Sequence, residues 1–321
     1  MILYRCLSVI GLALFSLVAV NIAIAQGEST TRQDLESRHL TDVSSDLIPP
    51  TLNTGSTLRW PPLDVDAIRP SVAQAVSCSL PDVISHAGMR VQELVHNLDH
   101  ISATEVIEHK DVSRSGNLQR SEIQKFNYVY SIRESSDGQL LGEEYRGRGT
   151  NPKQFVDEIA TMGVPSLVLL VLHPNYIRNF RMDCEGLGEW RGQPAWQIRF
   201  EEQSDGVYNV SNIVIDAKTY IVKFRGRAWI LADSYQVVHM DVDLVETIPK
   251  IRLRLYHQAL EYLPVSFPNS ATRLWLPSSA ELYVDFRGHR FYRSIRYVDF
   301  KLFSVKVQQE ISPSPRNVGR F

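Results

Sequence analysis

The sequence predicts an α+β fold in which most of the chain forms antiparallel strands and only a few helices occur. Strand-like runs separated by short polar turns follow one another from Ile177 onward. Helical spacing of apolar residues is confined to Pro81–Ile101 and Pro152–Leu172. With 44% hydrophobic residues, the chain can bury a core of the size found in one large or two small domains. We therefore expect one large antiparallel sheet with helices packed against it.

The N-terminus resembles a secretory signal peptide. Residues 1–25 combine one basic residue, Arg5, with an apolar run and a small-x-small site, Ala23-Ile24-Ala25, before Gln26. A retained membrane anchor is the alternative, but the apolar run is short for one. We expect an exported bacterial protein, periplasmic, envelope-bound or secreted, with no transmembrane segment after cleavage.

Three further regions are predicted after the signal peptide. Residues 26–76 are polar and rich in proline, without helical or strand periodicity, which predicts a flexible leader in which Trp60 and Leu63 dock locally. Residues 77–309 are predicted to form a single β-rich domain, and residues 310–321 a disordered tail. The formal net charge of −2 gives no reason to expect binding to nucleic acid or to an anionic membrane.

The first helix is predicted over Pro81–Ile101, with one apolar and one polar side. The next strands are predicted at Thr104–Lys110, Glu122–Ile132 and Leu140–Tyr145. Phe126, Tyr128 and Tyr130 alternate along the second strand and should share one face. Two more helices are predicted, Pro152–Thr161 and Pro165–Leu172. Because the second is apolar on almost every side, it should be buried or should cover a cavity.

Four hairpins carry predictions about strand pairing. Ser211–Ile230 is predicted to form a hairpin in the middle of the sheet. The loop 247–250 pairs Glu246 with Ile251, which sets Asp243 opposite Arg254 and Val242 opposite Leu255. The turn Gly288-His289 sets Leu282 opposite Ile295 and Glu281 opposite Arg296. The turn 191–194 should join the strands Phe180–Trp190 and Ala195–Glu202.

Two cysteines, Cys78 and Cys184, remain after signal cleavage. In an oxidising compartment we expect a disulfide between them, which would tie the segment before the first helix to the sheet. Two unpaired, buried thiols are the alternative.

The run V-I-D-A-K-T-Y, Val214–Tyr220, followed by Phe224-Arg225-Gly226, resembles the strand-turn-strand of LolA-like outer-membrane lipoprotein carrier and sorting proteins. The phrases C-E-G-L-G-E-W-R-G, Cys184–Gly192, and G-R-A-W-I, Gly226–Ile230, are similar to phrases in exported bacterial proteins of unassigned role. The resemblance covers about Ser79–Gln308. It implies a curved, half-open β-barrel whose apolar concave face is lidded by helices. No binding residue of the family can be assigned to a position here.

Three groups of residues resemble parts of metal-binding or phosphate-binding sites, but each is better explained by a structural role. Glu93, His96 and His100 could bind a metal, but they lie opposite the apolar side of the helix, which favours a solvated face. His239, Asp241 and Asp243 alternate on one strand, and cross-strand pairing with Arg254 would account for them. The glycines of Gly186–Gly192 lack the following helix of a phosphate loop and favour a tight turn. We therefore predict no catalytic residue, no metal site, no cofactor and no enzymatic activity, with a hydrolase as the least favoured alternative.

The apolar helix and the aromatic strand together suggest a carrier or sensor that binds an apolar ligand, such as the acyl chain of a lipid or lipoprotein. The expected cavity residues are Phe126, Tyr128, Tyr130, Leu167, Leu169 and Leu170. In the alternative, these residues fill a closed core, and the protein is an envelope scaffold or an interaction module with a protein partner.

Overall fold

The computed structural model describes residues 60–67, 69–98, 101–134, 138–148, 168–203, 212–215, 218–267 and 273–302. The predicted signal peptide, the leader up to residue 59, the predicted helix 152–161 and the predicted tail 310–321 lie outside these residues. Residues 57–321 belong to one unit.

The helix α1 spans Leu80–Leu98 and confirms the first predicted helix. Its buried residues Val83, Ala87, Val91 and Leu94 recur at helical spacing, so one side packs on the core. Pro81 lies in the first turn, where a missing backbone N–H costs no helical hydrogen bond. Among the described residues, no helix has both the length and the apolar character needed to cross a membrane.

Besides α1 and three short 3₁₀ turns, the described residues form twelve strands. They are β1 Ile101–Val112, β2 Leu118–Glu134, β3 Leu140–Arg148, β4 Phe180–Trp190, β5 Gln193–Glu202, β6 Asn212–Ile215, β7 Lys218–Ile221, β8 Phe224–Leu231, β9 Val237–Leu244, β10 Leu253–Ser266, β11 Arg273–Phe286 and β12 His289–Leu302. The 3₁₀ turns are Val168–Leu172, Ile177–Asn179 and Pro249–Ile251.

Ten of the strands form one antiparallel sheet in the order β3-β2-β1-β12-β11-β10-β9-β8-β5-β4. The sheet is open, with β3 and β4 at its edges. The face that packs on α1 and on the turn Val168–Leu172 is the concave face, and it carries the main apolar core, including Ile107, Met240 and Leu282. The predicted fold class, a mostly antiparallel, half-open barrel with helical cover on its concave face, is confirmed.

The prediction for Ser211–Ile230 is wrong in its placement. β6 and β7 do pair with each other, but they form a separate two-stranded sheet. Only β8 joins the large sheet, between β5 and β9. The buried Val222 separates β7 from β8 and ends the hairpin. Alternation predicts a strand correctly, but it does not specify which sheet that strand enters.

The predicted β9–β10 register is also wrong. Asp243 lies opposite His257, not Arg254, and Val242 lies opposite Gln258, not Leu255. The connection is longer than predicted because Pro249–Ile251 forms a 3₁₀ turn and Arg252 adopts a left-handed conformation with φ of 56°. Since the shift is an odd number of residues, it exchanges the two faces of β10 relative to β9.

The β11–β12 register differs from the prediction by two residues. Ala280, not Leu282, lies opposite Ile295, and Ser279, not Glu281, lies opposite Arg296. The turn consists of Arg287 and Gly288 alone, with φ of 52° and 87°, the positive values of a two-residue type I′ hairpin. An even shift leaves every side chain on its predicted face. The predicted join of β4 and β5 through Arg191-Gly192 is confirmed.

Residues 60–67 and 69–76, which fall in the predicted leader, lie against the convex face of the sheet. We call them the strap. The Trp60 ring lies 6.0 Å from the Tyr283 ring, and Val65 N donates to Asp243 Oδ2 at 2.7 Å. Ala73 N donates to Leu187 O of the edge strand β4 at 2.7 Å. The strap therefore crosses the convex face toward β4.

The predicted disulfide between Cys78 and Cys184 is present, with a Cα–Cα distance of 6.3 Å. Cys184 belongs to the edge strand β4, and Cys78 lies between the strap and α1. The bond thus fixes the chain where it passes around the sheet edge from the convex face to the concave face.

Candidate ligand-binding pocket

An apolar pocket lies on the concave face, where α1 and the turn Val168–Leu172 meet the sheet. The space that it encloses is about 40 Å³, and the volume rises to about 580 Å³ when the open space at its mouth is counted. It is lined by Val91, Leu94, Val95, Ile101, Ser102, Ala103, Tyr128, Ile132, Leu169, Leu170, Leu276, Pro277, Tyr297 and Phe300. None of these residues carries a charge, so the pocket suits an apolar ligand.

The periodicity of each element directs these side chains into the pocket. Val91, Leu94 and Val95 lie on the buried side of α1, while Ile101 and Ala103 lie on the inward-facing side of β1. The strand side chains alternate between the two faces, so every second residue of β1 reaches the concave face.

The pocket has an open side and a buried side. Val95, Ser102, Pro277 and Phe300 are half-buried, whereas the other lining residues are buried. Ser102 lies near the start of β1, Phe300 near the end of β12, and Pro277 in the first half of β11. The mouth therefore lies beside the C-terminal end of α1.

A buried ion pair lies next to the pocket. Glu105 on β1 has a side chain with 0% exposure, and it accepts hydrogen bonds from Arg146 Nε at 2.6 Å and Arg146 Nη2 at 2.9 Å. The Tyr297 hydroxyl also donates to Glu105, at 3.0 Å. The Arg146 guanidinium lies 5.2 Å from the centre of the Tyr128 ring. Two lining residues therefore contact this ion pair directly.

The structure places three of the predicted cavity residues, Tyr128, Leu169 and Leu170, in the pocket lining. Phe126 is half-buried against the main core and does not line the pocket. The backbone of Tyr130 pairs with Ile101, but its side chain is outside the described residues, as is all of Leu167.

The sequence analysis missed the contributions of α1 and β12 and the ion pair. The buried spacing of Leu94 and Val91 was a usable signal for α1. Glu105 was also detectable, because it is the one acidic residue in the inward-facing series Ile101, Ala103, Glu105, Ile107. Its partner Arg146 carried no comparable signal, since β3 shows no clear alternation.

None of the candidate metal ligands that the structure describes lines the pocket. His96 is on the exposed side of α1, and His100 is outside the described residues. His239 and Asp241 lie on the convex face, with His239 Nε2 2.9 Å from Asp241 Oδ1. Burial alone would raise the pKa of Asp241, but the charge and hydrogen bond of His239 hold that pKa below its usual value.

Asp243 has a different partner from the one predicted. His257 Nδ1 donates to Asp243 Oδ1 at 2.8 Å, and the strap donates to the second oxygen. The glycines 186 and 188 lie within β4 and Gly192 lies in the β4–β5 turn, so a strand follows them rather than a helix.

No protein-family model and no curated protein sequence matches the chain. The structure is similar to that of a LolA superfamily protein from Nitrosomonas europaea, with 11% identity, a TM-score of 0.35, and coverage of 72% of this chain and 96% of that one. It is also similar to a DUF1329 family protein from Desulfovibrio piger, with 10% identity, a TM-score of 0.42, and coverage of 70% and 94%. For the lipoprotein LppX of Mycobacterium tuberculosis, the identity is 12%, the TM-score 0.26, and the coverage 72% and 100%. The first carries the name of the family that the sequence resembles.

Proposed function

We propose that the protein is an exported, non-enzymatic envelope protein that binds the acyl chain of a lipid or lipoprotein in the apolar pocket. The observation that carries the proposal is the uncharged lining of a pocket that opens on one side. An acyl chain in this pocket would exchange water for apolar contacts on several sides, which favours binding by about 0.8 kcal/mol per buried methylene. The predicted signal peptide, residues 1–25, supports an exported location.

Native mass spectrometry of the mature chain, Gln26–Phe321, tests the proposal directly. The protein would be purified from the envelope of its own host, and any bound molecule extracted into organic solvent and identified. We expect a stoichiometric lipid or lipoprotein. A protein that carries no lipid and does not take up a fluorescent fatty acid would contradict the proposal and favour the closed-core scaffold.

A pair of matched substitutions separates a binding pocket from a closed core. Ala103 lines the pocket, so Ala103→Leu should fill space that the ligand would occupy and should abolish uptake of the fluorescent fatty acid with little loss of stability. Ala280 is buried on the same face outside the lining, with 1% exposure. Ala280→Leu should overpack the core and cost about 1–3 kcal/mol, while ligand uptake remains. Equal destabilisation by both variants, without an effect on uptake, would contradict the proposal.

A further inference from the structure

The buried end of the pocket is formed by two tyrosine rings. Along β1 the lining passes from Ile101 through Ser102 to Ala103, and along β12 from Phe300 to Tyr297, so both strands lead from the half-buried residues Ser102 and Phe300 toward the rings. The next inward-facing residue on β1 is Glu105, whose cross-strand partner is Tyr297. Tyr128 lies opposite Ala103 on β2. The two rings therefore stand in the last two inward-facing rows of the lining.

The two rings contact each other. The ring centres of Tyr128 and Tyr297 are 5.2 Å apart, with an angle of 50° between their planes, and both residues are buried. This separation is typical of directly packed aromatic rings, which leave no space for a methylene chain to pass between them.

One ion pair holds both rings. Glu105 accepts the hydroxyl of Tyr297, and Arg146, bound to Glu105 through two nitrogens, stacks on Tyr128. Arg146 is also the cross-strand partner of Tyr128. A chain that advanced past the rings would separate these buried charges from their hydrogen-bond partners, which is costly in an apolar environment.

We infer that Tyr128 and Tyr297 are the closed end of the pocket and set the longest acyl chain that it accepts, with Glu105 and Arg146 as positioning residues. This inference rests on the proposed function. It adds a chain-length limit: methylenes up to the rings contribute to affinity, and methylenes beyond that point stay outside the mouth.

A homologous series of saturated 1-alkanols tests the limit. Each alcohol would compete with a fluorescent fatty acid for the mature protein. Affinity should rise about fourfold for each added methylene, from the free energy of burying one methylene, and then reach a plateau. In Tyr128→Leu and in Tyr297→Leu the plateau should move to longer alcohols, because the smaller side chain extends the pocket.

The matched control is Tyr283→Leu. Tyr283 is a buried tyrosine of the convex face, packed against Trp60 and outside the pocket lining. Its substitution should leave the plateau where it is in the unmodified protein. A plateau that is the same in all four proteins would overturn the inference while leaving acyl binding intact. If no alcohol competes and no fatty acid binds to the unmodified protein, both the inference and the proposed function are overturned.

A second measurement needs no substitution and so does not depend on how the variants fold. A saturated alcohol of plateau length, with a photoreactive diazirine at its terminal carbon, would be bound to the unmodified protein and irradiated. Peptide mapping should find the label on Tyr128 or Tyr297. Labelling concentrated on residues near the mouth, such as Val95 or Phe300, would overturn the inference.

Discussion

Buried charged side chains lie on the concave face among apolar neighbours, and specific partners compensate them. Glu105 pairs with Arg146 beside the pocket. Further along β1, Arg293 Nε of β12 donates to His109 Nδ1 at 3.0 Å, and the Arg293 guanidinium lies 4.8 Å from the Phe291 ring centre. Because His109 Nδ1 accepts this hydrogen bond, Nε2 carries the proton and donates to Asp111 at 3.0 Å. Hydrogen bonds thus hold the side chains of Glu105 and Arg293 in place.

Removing one charge of the Glu105–Arg146 pair should lower the stability of the fold. Glu105→Gln leaves the Arg146 cation buried beside a neutral amide, and we expect the free energy of unfolding to fall by about 3–5 kcal/mol. Urea unfolding monitored by circular dichroism measures the change. The paired replacement Glu105→Leu with Arg146→Met should cost less than Glu105→Gln, because it leaves no unpaired charge.

A control for this comparison is Glu201→Gln. Glu201 also pairs with an arginine, Arg199, at 3.0 Å, but its side chain is 30% exposed, so its loss should cost less than about 1 kcal/mol. If Glu105→Gln and Glu201→Gln lower the free energy of unfolding equally, the buried pair at the pocket contributes no more to stability than the exposed pair.

At the scale of elements, the strap covers the convex face through charges and backbone groups rather than through a large apolar surface. Asp66 binds Arg199 with two hydrogen bonds of 2.8 Å each, and Asp64 pairs with Arg225. Arg227 donates to Val65 O and also pairs with Glu185. Arg199 belongs to β5, and Arg225 and Arg227 belong to β8. Together with the bonds to Leu187 of β4 and Asp243 of β9, these contacts attach the strap to four neighbouring strands.

The attachment of the strap should depend on pH. The hydrogen bond from Arg199 lowers the pKa of Asp66, with help from the charges of Arg199, Arg225 and Arg227 and against the effect of burial. Because the folded pKa lies below the unfolded value of about 3.9, the stabilisation is complete above that pH and is lost as the pH falls through the folded pKa. Amide hydrogen exchange, corrected for intrinsic rates, should show Val65 losing protection in acid before the sheet does.

Asp66→Asn removes the titrating group. At neutral pH we expect the protection of the strap amides against hydrogen exchange to fall by less than about 1 kcal/mol, since the Asp66 side chain is 40% exposed. This protection should also depend less on pH than in the unmodified protein. An unchanged acid response of Val65 in this variant would assign the effect to another group, such as Asp64 or Asp243.

At the scale of the whole molecule, the disulfide joins the strap, the edge strand and α1. Cys78 and Cys184 are 106 residues apart in sequence. In the chain-entropy model, a bond that closes a loop of this length stabilises the folded state by up to about 4.7 kcal/mol. We expect Cys78→Ser with Cys184→Ser to lower the melting temperature clearly, in differential scanning calorimetry of the mature chain.

The same experiment with a reductant provides the control. The unmodified protein, with its thiols shown to be free by mass, should melt at the temperature of the double variant, and the double variant should not respond to the reductant. If the unmodified protein melts at the same temperature with the bond open and closed, the disulfide does not stabilise the fold.

Much of the architecture could be predicted from local pattern. The periods of two and of 3.6 residues identified β1, β2 and α1, and the alternation along β2 placed Tyr128 on the side that reaches the pocket. They did so because a side chain's face depends only on the backbone geometry of its own element. The pairing of Cys78 with Cys184 was expected because only these two cysteines remain after the predicted signal cleavage and the predicted export leads to an oxidising compartment.

Partners across the sheet depended on the tertiary structure. The backbone of Arg252 and the two-residue turn at Gly288 decided which residues of β9–β12 face each other. Whether Ile213 joined the large sheet, and whether Val65 docked on the convex face, depended on segments distant in sequence. The sequence by itself determined which elements form and which sides are apolar, because these follow from local periodicity. Only the tertiary structure decided register, the docking of the strap and the Glu105–Arg146 pair, because each depends on turn geometry and on burial against distant residues.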